Sequence, residues 1–167
     1  MESAHSPFRW VTDARDWPEI AEFFAATIAV DHGYISHGEI QTGLSADGVN
    51  WASDLARKFL AELGEPGDDR SLAVCRDGAD AIVAAANITW THEPPGIPFA
   101  TIQDMAVSPH LRSTGLGSRM FEFLLAEAKA RGMAWVFLES GKDNHRAHEF
   151  FIRNGMTEVS HVFGKRL

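Results

Sequence analysis

The chain has 167 residues, of which 45% are hydrophobic and 23% charged, as is typical of one globular domain with a full-sized core. These proportions exclude a disordered tail, a collagen-like chain and a coiled coil, and no apolar run is long enough to cross a bilayer. The net charge of −8 argues against partnership with nucleic acid or with an anionic membrane, because proteins that bind either are usually basic.

The N-terminal third of the chain is predicted to hold one strand and two helices. A short strand is expected over residues 8–12, and Asp16 followed three residues later by Glu19 has the spacing of a capping box that starts a helix. A second helix is expected over residues 49–63, where apolar side chains recur at helical spacing. Between the two helices, residues 31–48 are rich in glycine and histidine and predict a loop.

The rest of the chain alternates between apolar, β-branched segments and helical patterns. Strands are predicted over residues 71–76, 81–91, 99–107, 134–139 and 156–163, and helices over residues 115–131 and 144–154. With the first three elements this makes six strands and four helices in the order β α α β β β α β α β. The prediction is a mixed α/β sheet in a single domain, residues 1–167.

Cysteine content and the first residues bear on the cellular compartment. Cys75 is the only cysteine, so no internal disulfide can form and a cytoplasmic protein is expected. Residues 1–5 contain neither a basic start nor an apolar stretch, so we expect no secretory signal.

The charge is unevenly distributed along the chain. Residues 1–107 hold 6 Lys/Arg and 17 Asp/Glu, whereas residues 108–167 hold 9 Lys/Arg and 6 Asp/Glu. Either acidic loops happen to lie early in the chain, or the C-terminal part holds an anion while the N-terminal part faces something cationic.

The stretch that follows the strand over residues 99–107 has the composition of an anion-binding loop. Arg112, Gly115 and Gly117 stand at the spacing Arg-x-x-Gly-x-Gly and open the next helix. Glycine lets the backbone approach a ligand closely, a helix N-terminus presents unpaired N–H groups, and arginine suits phosphate. The stretch has no Gly-Lys-Ser/Thr and is therefore not a P-loop, and Met120 stands where a dinucleotide-binding fingerprint needs its third glycine.

At these residues the sequence resembles the GNAT superfamily of N-acetyltransferases, whose first motif, (Gln/Arg)-x-x-Gly-x-(Gly/Ala), also follows a strand and opens a helix. A second stretch resembles the downstream pattern of that superfamily: Asn144, Ala147, Phe150, Phe151, Gly155 and Met156. The resemblance covers about residues 70–160. It implies a central mixed, mostly antiparallel twisted sheet of about six strands flanked by about four helices, with residues 16–64 on the acceptor side.

The resemblance also implies that acetyl-coenzyme A lies between the strands over residues 99–107 and 134–139. Its pantetheine arm is expected to pair with the backbone of Met105 and Val107. Its pyrophosphate is expected on the backbone of the loop and helix start: Arg112, Ser113, Thr114, Gly115, Leu116, Gly117 and Ser118. Asn144 matches an asparagine that binds the cofactor arm, but it could equally cap a helix, and both could hold. Phe151 stands beside the same arm, and no metal is expected.

The catalytic groups are less clear because Phe151 occupies the position where many members of the superfamily carry a proton-donating tyrosine. Tyr34, the only tyrosine, or Ser140 or water could replace it, although Tyr34 could also be a loop aromatic that packs inward. For removing a proton from the amine, Asp104 is the first candidate and Glu139 the second, followed by Glu39 and His37. Strand alternation predicts that Asp104 faces away from Gln103, and a buried acid bonded to nearby backbone is the other interpretation.

The function implied by the resemblance is transfer of an acetyl group from acetyl-coenzyme A to a primary amine of a small molecule or peptide. The amine attacks directly and the reaction passes through a tetrahedral intermediate. A catalytically weak sensor or regulatory module that binds coenzyme A with the same fold is the alternative, and a nucleotide-binding protein of another class is a second. A homodimer is possible.

Overall fold

The computed structural model describes residues 6–65 and 67–167, so residues 1–5, on which the expectation about a secretory signal depends, lie outside it. Within the described residues one sheet has five strands in the order β1-β2-β3-β4-β5. The strands are β1 (Phe8–Trp10), β2 (Arg70–Arg76), β3 (Ile82–Thr91), β4 (Phe99–Val107) and β5 (Trp135–Leu138). All neighbours are antiparallel except β4 and β5, which are parallel. The predicted mixed, mostly antiparallel sheet is confirmed.

Five α-helices occur in the described part of the chain. They are α1 (Trp17–Ile28), α2 (His37–Thr42), α3 (Leu55–Leu63), α4 (Leu116–Ala130) and α5 (His145–Arg153). One hydrophobic core lies between the sheet and α4, around Met120, Phe121 and Leu124, and a second lies between the opposite face of the sheet and α1 and α3, around Phe24 and Phe59. None of the described helices is long and apolar enough to cross a membrane.

Two details of the predicted first half are wrong. Asp16 makes no side-chain capping bond to a described residue, because it ends a 3-10 turn with helical backbone angles (φ −79°, ψ −15°) and not the extended ones that a capping side chain needs. Glu19, its expected partner in a capping box, is held by Arg76 of β2 at 2.6–2.8 Å. The helix predicted over residues 49–63 begins only at Leu55, because the Asp47 carboxylate accepts backbone N–H bonds from the next residues and fixes a turn there.

The predicted loop over residues 31–48 contains the short helix α2, which has the capping box that was expected elsewhere. The Ser36 hydroxyl accepts a bond from the backbone N–H of Gly38, and the Glu39 carboxylate accepts one from the backbone N–H of Ser36 at 2.7 Å. This segment therefore has a defined shape.

The prediction of a strand over residues 156–163 is wrong, because the structure has no strand there. After the backbone bond from Met156 N–H to the Phe151 carbonyl, residues 157–167 make no backbone hydrogen bond to any described residue, and all are exposed. The segment has strand-forming residues, but a strand also needs a neighbouring edge to pair with, and local sequence does not specify one.

A β-bulge in β4 places two consecutive residues on one face of the sheet. Asn87 pairs with Asp104 in register, but the shift after Asn87 leaves Gln103 without a partner on β3. Gln103 donates a hydrogen bond to the Thr89 hydroxyl and Asn87 donates one to the Asp104 carboxylate, each at 3.1 Å. Because Asn87 and Thr89 share a face, Gln103 and Asp104 do too, and the predicted alternation is wrong at this point.

The parallel strands β4 and β5 pair over only part of their length. Residues Phe99 to Ile102 of β4 pair with Trp135 to Leu138 of β5, and β4 then continues alone to Val107. The two strands therefore separate after Ile102, and beyond it β4 has no neighbouring strand on that side among the described residues. A strand edge of this kind can bind an amide-containing ligand.

Candidate functional site

A cavity of about 60 Å³ opens where β4 and β5 separate. Its volume exceeds the space that one water needs and is suited to a small acyl or amine group. The four candidate catalytic residues, Tyr34, Asp104, Glu139 and Ser140, all line it. Three of the predicted cofactor-binding residues line it as well: Met105, Asn144 and Phe151. Thus residues that are 106 positions apart in sequence, Tyr34 and Ser140, face the same space.

Tyr34 reaches the cavity because the loop that follows β5 packs directly on its backbone. A Cβ atom on buried Gly141 would overlap the carbonyl oxygen of Gly33 and lie 2.6 Å from that of Ile35, so only glycine fits there. Burial raises the pKa of Tyr34 well above its usual value, and the nearby Asp104 and Glu39 carboxylates raise it further. The phenol is therefore protonated at neutral pH.

Asp104 is 4% exposed, and its partner is a side chain, not the backbone. The Asn87 amide donates to its carboxylate at 3.1 Å. Burial raises the pKa of Asp104 to about 6, although the Asn87 hydrogen bond works in the opposite direction. A carboxylate with this pKa is charged at neutral pH yet basic enough to accept a proton from an amine.

Glu62 and Asn87 are polar residues near this cavity that sequence reasoning missed. Burial and the charge of Asp104 raise the pKa of Glu62 to about 7, and its Oε2 atom is buried without a hydrogen-bond partner among the described residues. Asn87 is fully buried in the middle of an apolar strand. The sequence signal that could have found them is a polar residue within an apolar pattern. Glu62 directly precedes the core residue Leu63, and Asn87 interrupts the apolar run of β3.

Glu139 and Ser140 line the opposite wall of the cavity, at the end of β5. The Glu139 carboxylate lies 2.6 Å from the Nδ1 atom of His37, and both side chains are about two-fifths exposed. This pair connects the cavity with solvent. The Ser140 hydroxyl is buried and has no hydrogen-bond partner among the described residues, so it is free to bond a ligand. Glu39 also faces the cavity, but its carboxylate accepts bonds from Ser36.

The predicted anion-binding loop lies at the N-terminus of α4. Gly115 precedes the helix in the left-handed conformation (φ 83°), and no side chain of the described residues caps the first helical N–H groups. Ser113 is also left-handed, with φ 66°, and the Thr114 hydroxyl donates to the Leu111 carbonyl at 2.6 Å. The uncapped N–H groups of a 15-residue helix are a suitable site for an anion.

Arg112 and Arg146 bring two positive charges towards this region. Arg112 is half-buried, and its Nε atom donates to the carbonyl oxygen of Val107, which fixes the side chain beside the end of β4. Burial lowers the pKa of Arg112, and the positive charge of Arg146 lowers it further. Two guanidinium groups that repel each other favour an anion between them. Arg146 was missed because it lies on α5, which is distant in sequence.

Gly117 lies where α4 and α5 pack closely together. A Cβ atom there would lie 3.3 Å from the Phe150 ring and 3.7 Å from Val107, so the glycine lets α4 pack closely against α5. The helix N-terminus and its neighbouring arginines remain the features suited to an anion.

Asn144 and Phe151 join the cavity to α5. The Asn144 side chain accepts a bond from the backbone N–H of Ala147 at 3.3 Å, so the helix-cap interpretation is confirmed, and the residue also lines the cavity. Phe151 packs against Phe121 with ring centroids 6.0 Å apart. It provides an apolar wall without a proton to donate.

Comparison with known proteins gives one family and many similar folds. The Acetyltransferase (GNAT) family model matches residues 39–156. A tetramutant of the BH1408 protein from Bacillus halodurans is 20% identical with a TM-score of 0.69, covering 96% of this chain and 99% of that one. Ribosomal-protein-alanine N-acetyltransferase from Brucella melitensis biovar Abortus 2308 is 12% identical with a TM-score of 0.67, with coverages of 96% and 99%.

Aminoglycoside N-acetyltransferase AAC(6')-Iy, solved in complex with coenzyme A, is 11% identical with a TM-score of 0.66, and 96% of this chain and 93% of that one are covered. At these identities the solved structures show the fold alone. No curated protein matches the chain. The family model, however, covers well over half of it and includes both the anion-binding loop and most of the cavity. The chain belongs to the GNAT family of acetyltransferases.

Proposed function

We propose that the protein transfers an acetyl group from acetyl-coenzyme A to a primary amine of a small molecule or peptide. The observation that carries the proposal is the cavity between β4 and β5, where Asp104, Tyr34, Glu139 and Ser140 face one space, together with the start of α4, which lies against Val107 at the end of β4. Two of the solved structures described above are named N-acetyltransferases, one of them in complex with coenzyme A, which supports the same chemistry here.

The residues present fit acetyl-coenzyme A. The uncapped start of α4, over residues 112–118, with Arg112 and Arg146 nearby, suits the pyrophosphate. The side of β4 that lacks a neighbouring strand beyond Ile102, around Met105 and Val107, suits an arm that contains amide groups. Asn144 and the Ser140 hydroxyl, which has no partner among the described residues, line the same cavity as Met105. The ligand supplies a thioester, which is an activated acetyl group.

Asp104 is proposed as the group that removes the proton from the attacking amine. An alkylammonium group has a pKa of about 10.4, so a neutral amine is rare at pH 7 without such help. The Asp104 carboxylate lies in the cavity with a pKa of about 6, and the carboxylates of Glu62 and Glu39 lie close enough to shift pKa values in the same cluster. From the cavity, the Glu139–His37 pair offers the proton a way to solvent.

Tyr34 is proposed to stabilise the leaving thiolate as a hydrogen-bond donor. A thiol has a pKa of about 8.5, and Tyr34 has a pKa well above 10, so complete proton transfer from the phenol is unfavourable. A protonated phenol in an apolar cavity can nevertheless donate a hydrogen bond to the developing charge. Ser140 is the second candidate for this role.

The alternative is a sensor or regulatory module that binds coenzyme A without turnover. Phe151 is the observation that favours it, because a phenyl ring cannot act as an acid. The phenol of Tyr34 in the same cavity favours the enzyme.

Release of free thiol from acetyl-coenzyme A, measured with a panel of primary amines, distinguishes the two functions. The panel contains a linear diamine, an amino sugar, an aminoglycoside, and peptides with a free N-terminus or a lysine. We expect release that depends on the amine, exceeds hydrolysis and falls in Asp104→Asn. Coenzyme A binding without such release would support the sensor.

Ligand-induced thermal stabilisation tests the cofactor separately, since a ligand that binds the folded state raises its melting temperature. We expect acetyl-coenzyme A to stabilise the protein more than ATP or NAD does. Stabilisation by a nucleotide alone would contradict the proposed function altogether.

A further inference from the structure

Asn87 is a polar side chain in the middle of an apolar strand. It is fully buried, and its neighbours along β3 are equally buried: Ala84, Ala85, Ala86 and Ile88. A buried amide costs free energy unless its polar atoms are paired, whereas an alanine at the same position carries no such cost. The residue is therefore expected to supply a contact that its apolar neighbours cannot.

One half of the Asn87 amide is paired and the other half is not. Its Nδ2 atom donates to the Oδ2 atom of Asp104 at 3.1 Å, and both side chains are buried. Its Oδ1 atom is also buried and has no hydrogen-bond partner among the described residues. An unpaired buried carbonyl is unfavourable for folding, so the bond to Asp104 is what this amide contributes.

The strand pairing fixes the contact between Asn87 and Asp104. The two residues are direct partners in the register of β3 and β4, and the β-bulge follows immediately after Asn87. Side chains of directly paired residues lie on the same face of the sheet and close enough to interact. The contact is therefore set by the backbone of two paired strands and not by a flexible side chain at the surface.

Other titratable and charged groups approach the Asp104 carboxylate from the elements packed against it. They are the phenol of Tyr34, the carboxylates of Glu39 on α2 and Glu62 on α3, and the guanidinium of Arg70 on β2. Burial is the largest influence on the pKa of Asp104 and raises it, and the charge of Glu39 raises it further. The Asn87 hydrogen bond opposes both, and it contributes more than the charge of Arg70 does.

We propose that Asn87 is a positioning residue for the reaction, whose amide orients the Asp104 carboxylate and stabilises the charged form that accepts the proton of the acceptor amine. The role rests on the proposed acetyl transfer. With Nδ2 of Asn87 bonded to Oδ2, the Oδ1 atom of Asp104 is left to take the proton that the amine nitrogen loses. Asn87 is not among the described residues that line the cavity, so it acts through Asp104 and not on the acceptor itself.

An NMR titration of the Asp104 side-chain carbon tests the inference without any turnover, and the signal is assigned by its loss in Asp104→Asn. In Asn87→Ala the midpoint is expected about 1–2 pH units above that of the wild type, the equivalent of one hydrogen bond to a charged group. Asn87→Asp keeps the shape of the side chain but replaces the donor with a second carboxyl, so the pair should hold a proton to a still higher pH.

Ser45→Ala is the matched control for these two variants. Ser45 is also fully buried, and its hydroxyl donates to the Asn50 carbonyl at 2.8 Å, away from the cavity. The substitution removes one buried hydrogen bond and should leave the Asp104 midpoint unchanged. Circular dichroism shows which variants are folded, and Asn87→Asp carries the test if the smaller alanine does not fold. An unshifted midpoint in the folded Asn87 variants would overturn the proposal.

Steady-state kinetics separates a positioning role from a merely structural one. The acid limb of the kcat/KM profile should move to higher pH in Asn87→Ala by the same amount as the NMR midpoint, with an unchanged Kd for acetyl-coenzyme A. In the Asp104→Asn background, Asn87→Ala should not lower kcat further, because the carboxylate through which it acts is absent. Turnover with an unmoved limb, or with losses that add up, would overturn the positioning role alone. Absence of turnover in the wild type would instead contradict the acetyl transfer on which the role rests.

Discussion

The start of α4 and the cavity between β4 and β5 are built in different ways. The start of α4 uses backbone, namely a helix N-terminus without a side-chain cap among the described residues and a left-handed glycine, with Arg112 and Arg146 for charge. The cavity uses side chains from separate elements, mainly the carboxyl groups of Asp104 and Glu39 and the phenol of Tyr34, with the Glu62 carboxylate close to Asp104. A backbone site suits a ligand that never changes, whereas a side-chain site can be altered for each acceptor one residue at a time.

The charge distribution follows this division. Residues 108–167, which carry the excess of Lys and Arg, include Arg112 and Arg146, and residues 1–107, which carry the excess of Asp and Glu, include Asp104 and Glu39 of the cavity. Substitutions at the start of α4 should therefore change cofactor affinity, and substitutions in the cavity should change turnover and its pH dependence.

The largest effect is expected from Asp104→Asn. Loss of the proton acceptor should lower kcat by roughly 100- to 1000-fold at neutral pH, the range typical of general bases. In the wild type, kcat/KM should fall as the pH drops below about 6, where Asp104 becomes protonated. The variant should lack this dependence, while its Kd for acetyl-coenzyme A stays close to that of the wild type. An unchanged pH–rate profile would exclude Asp104 from the mechanism.

The same substitution should stabilise the fold at high pH. The pKa of Asp104 is raised in the folded state, to about 6 from about 3.9 in an unfolded chain, so folding binds protons between these values. Stability is therefore lost as the pH rises through this window, and a neutral side chain avoids the loss. At pH 8 the free energy of unfolding of Asp104→Asn should exceed that of the wild type by about 2–3 kcal/mol, with no gain below pH 4. Denaturant unfolding at both pH values measures it.

At the start of α4, Arg112→Gln and Arg146→Gln should each raise the Kd for coenzyme A by roughly 10- to 100-fold, since a charge-assisted hydrogen bond contributes about 1.5–3 kcal/mol. Arg153→Gln, on the same helix as Arg146 but close to its C-terminal end, is the control and should bind normally. Calorimetric titration measures all three. Equal losses in the three variants would show that net charge, and not the α4 site, determines affinity.

The start of α4 and the cavity differ in how far the sequence predicts them. The α4 site was predictable because its parts are contiguous: the end of a strand, Arg112, Gly115 and the start of a helix. The cavity was not, because Tyr34 lines it, and Glu62 and Asn87 approach Asp104, only through tertiary packing, such as the contact of Gly141 with Gly33. The β-bulge in β4 places Gln103 on the same face as Asp104, where strand alternation predicts opposite faces. Residues 156–163 form no strand because a strand needs a neighbouring strand edge to pair with.

Tyr34→Phe should have a smaller effect, because the phenol only donates a hydrogen bond in this account. We expect kcat to fall by roughly 10-fold, the value of one hydrogen bond to a developing charge, with KM unchanged. Steady-state kinetics with the best amine of the panel measures it. Full activity in the variant would transfer the role to Ser140 or water.

The smallest effect is expected from Glu62→Gln. The pKa of Glu62, about 7, lies above that of Asp104, about 6, so Glu62 is mostly neutral where Asp104 titrates. A neutral glutamine should therefore leave the acid limb of the pH–rate profile and the plateau rate nearly unchanged. Glu65→Gln, close by in sequence but exposed, gives the baseline. A limb that moves to clearly lower pH in Glu62→Gln alone would show that Glu62 is charged when Asp104 titrates, which would contradict the order of the two pKa values.

A crystal structure with coenzyme A bound tests the central claim most directly. The account predicts the pyrophosphate on the first N–H groups of α4, close to Arg112, and the sulfur atom in the cavity between Asp104 and Ser140. A pyrophosphate bound elsewhere, or a sulfur atom directed away from this cavity, would contradict it.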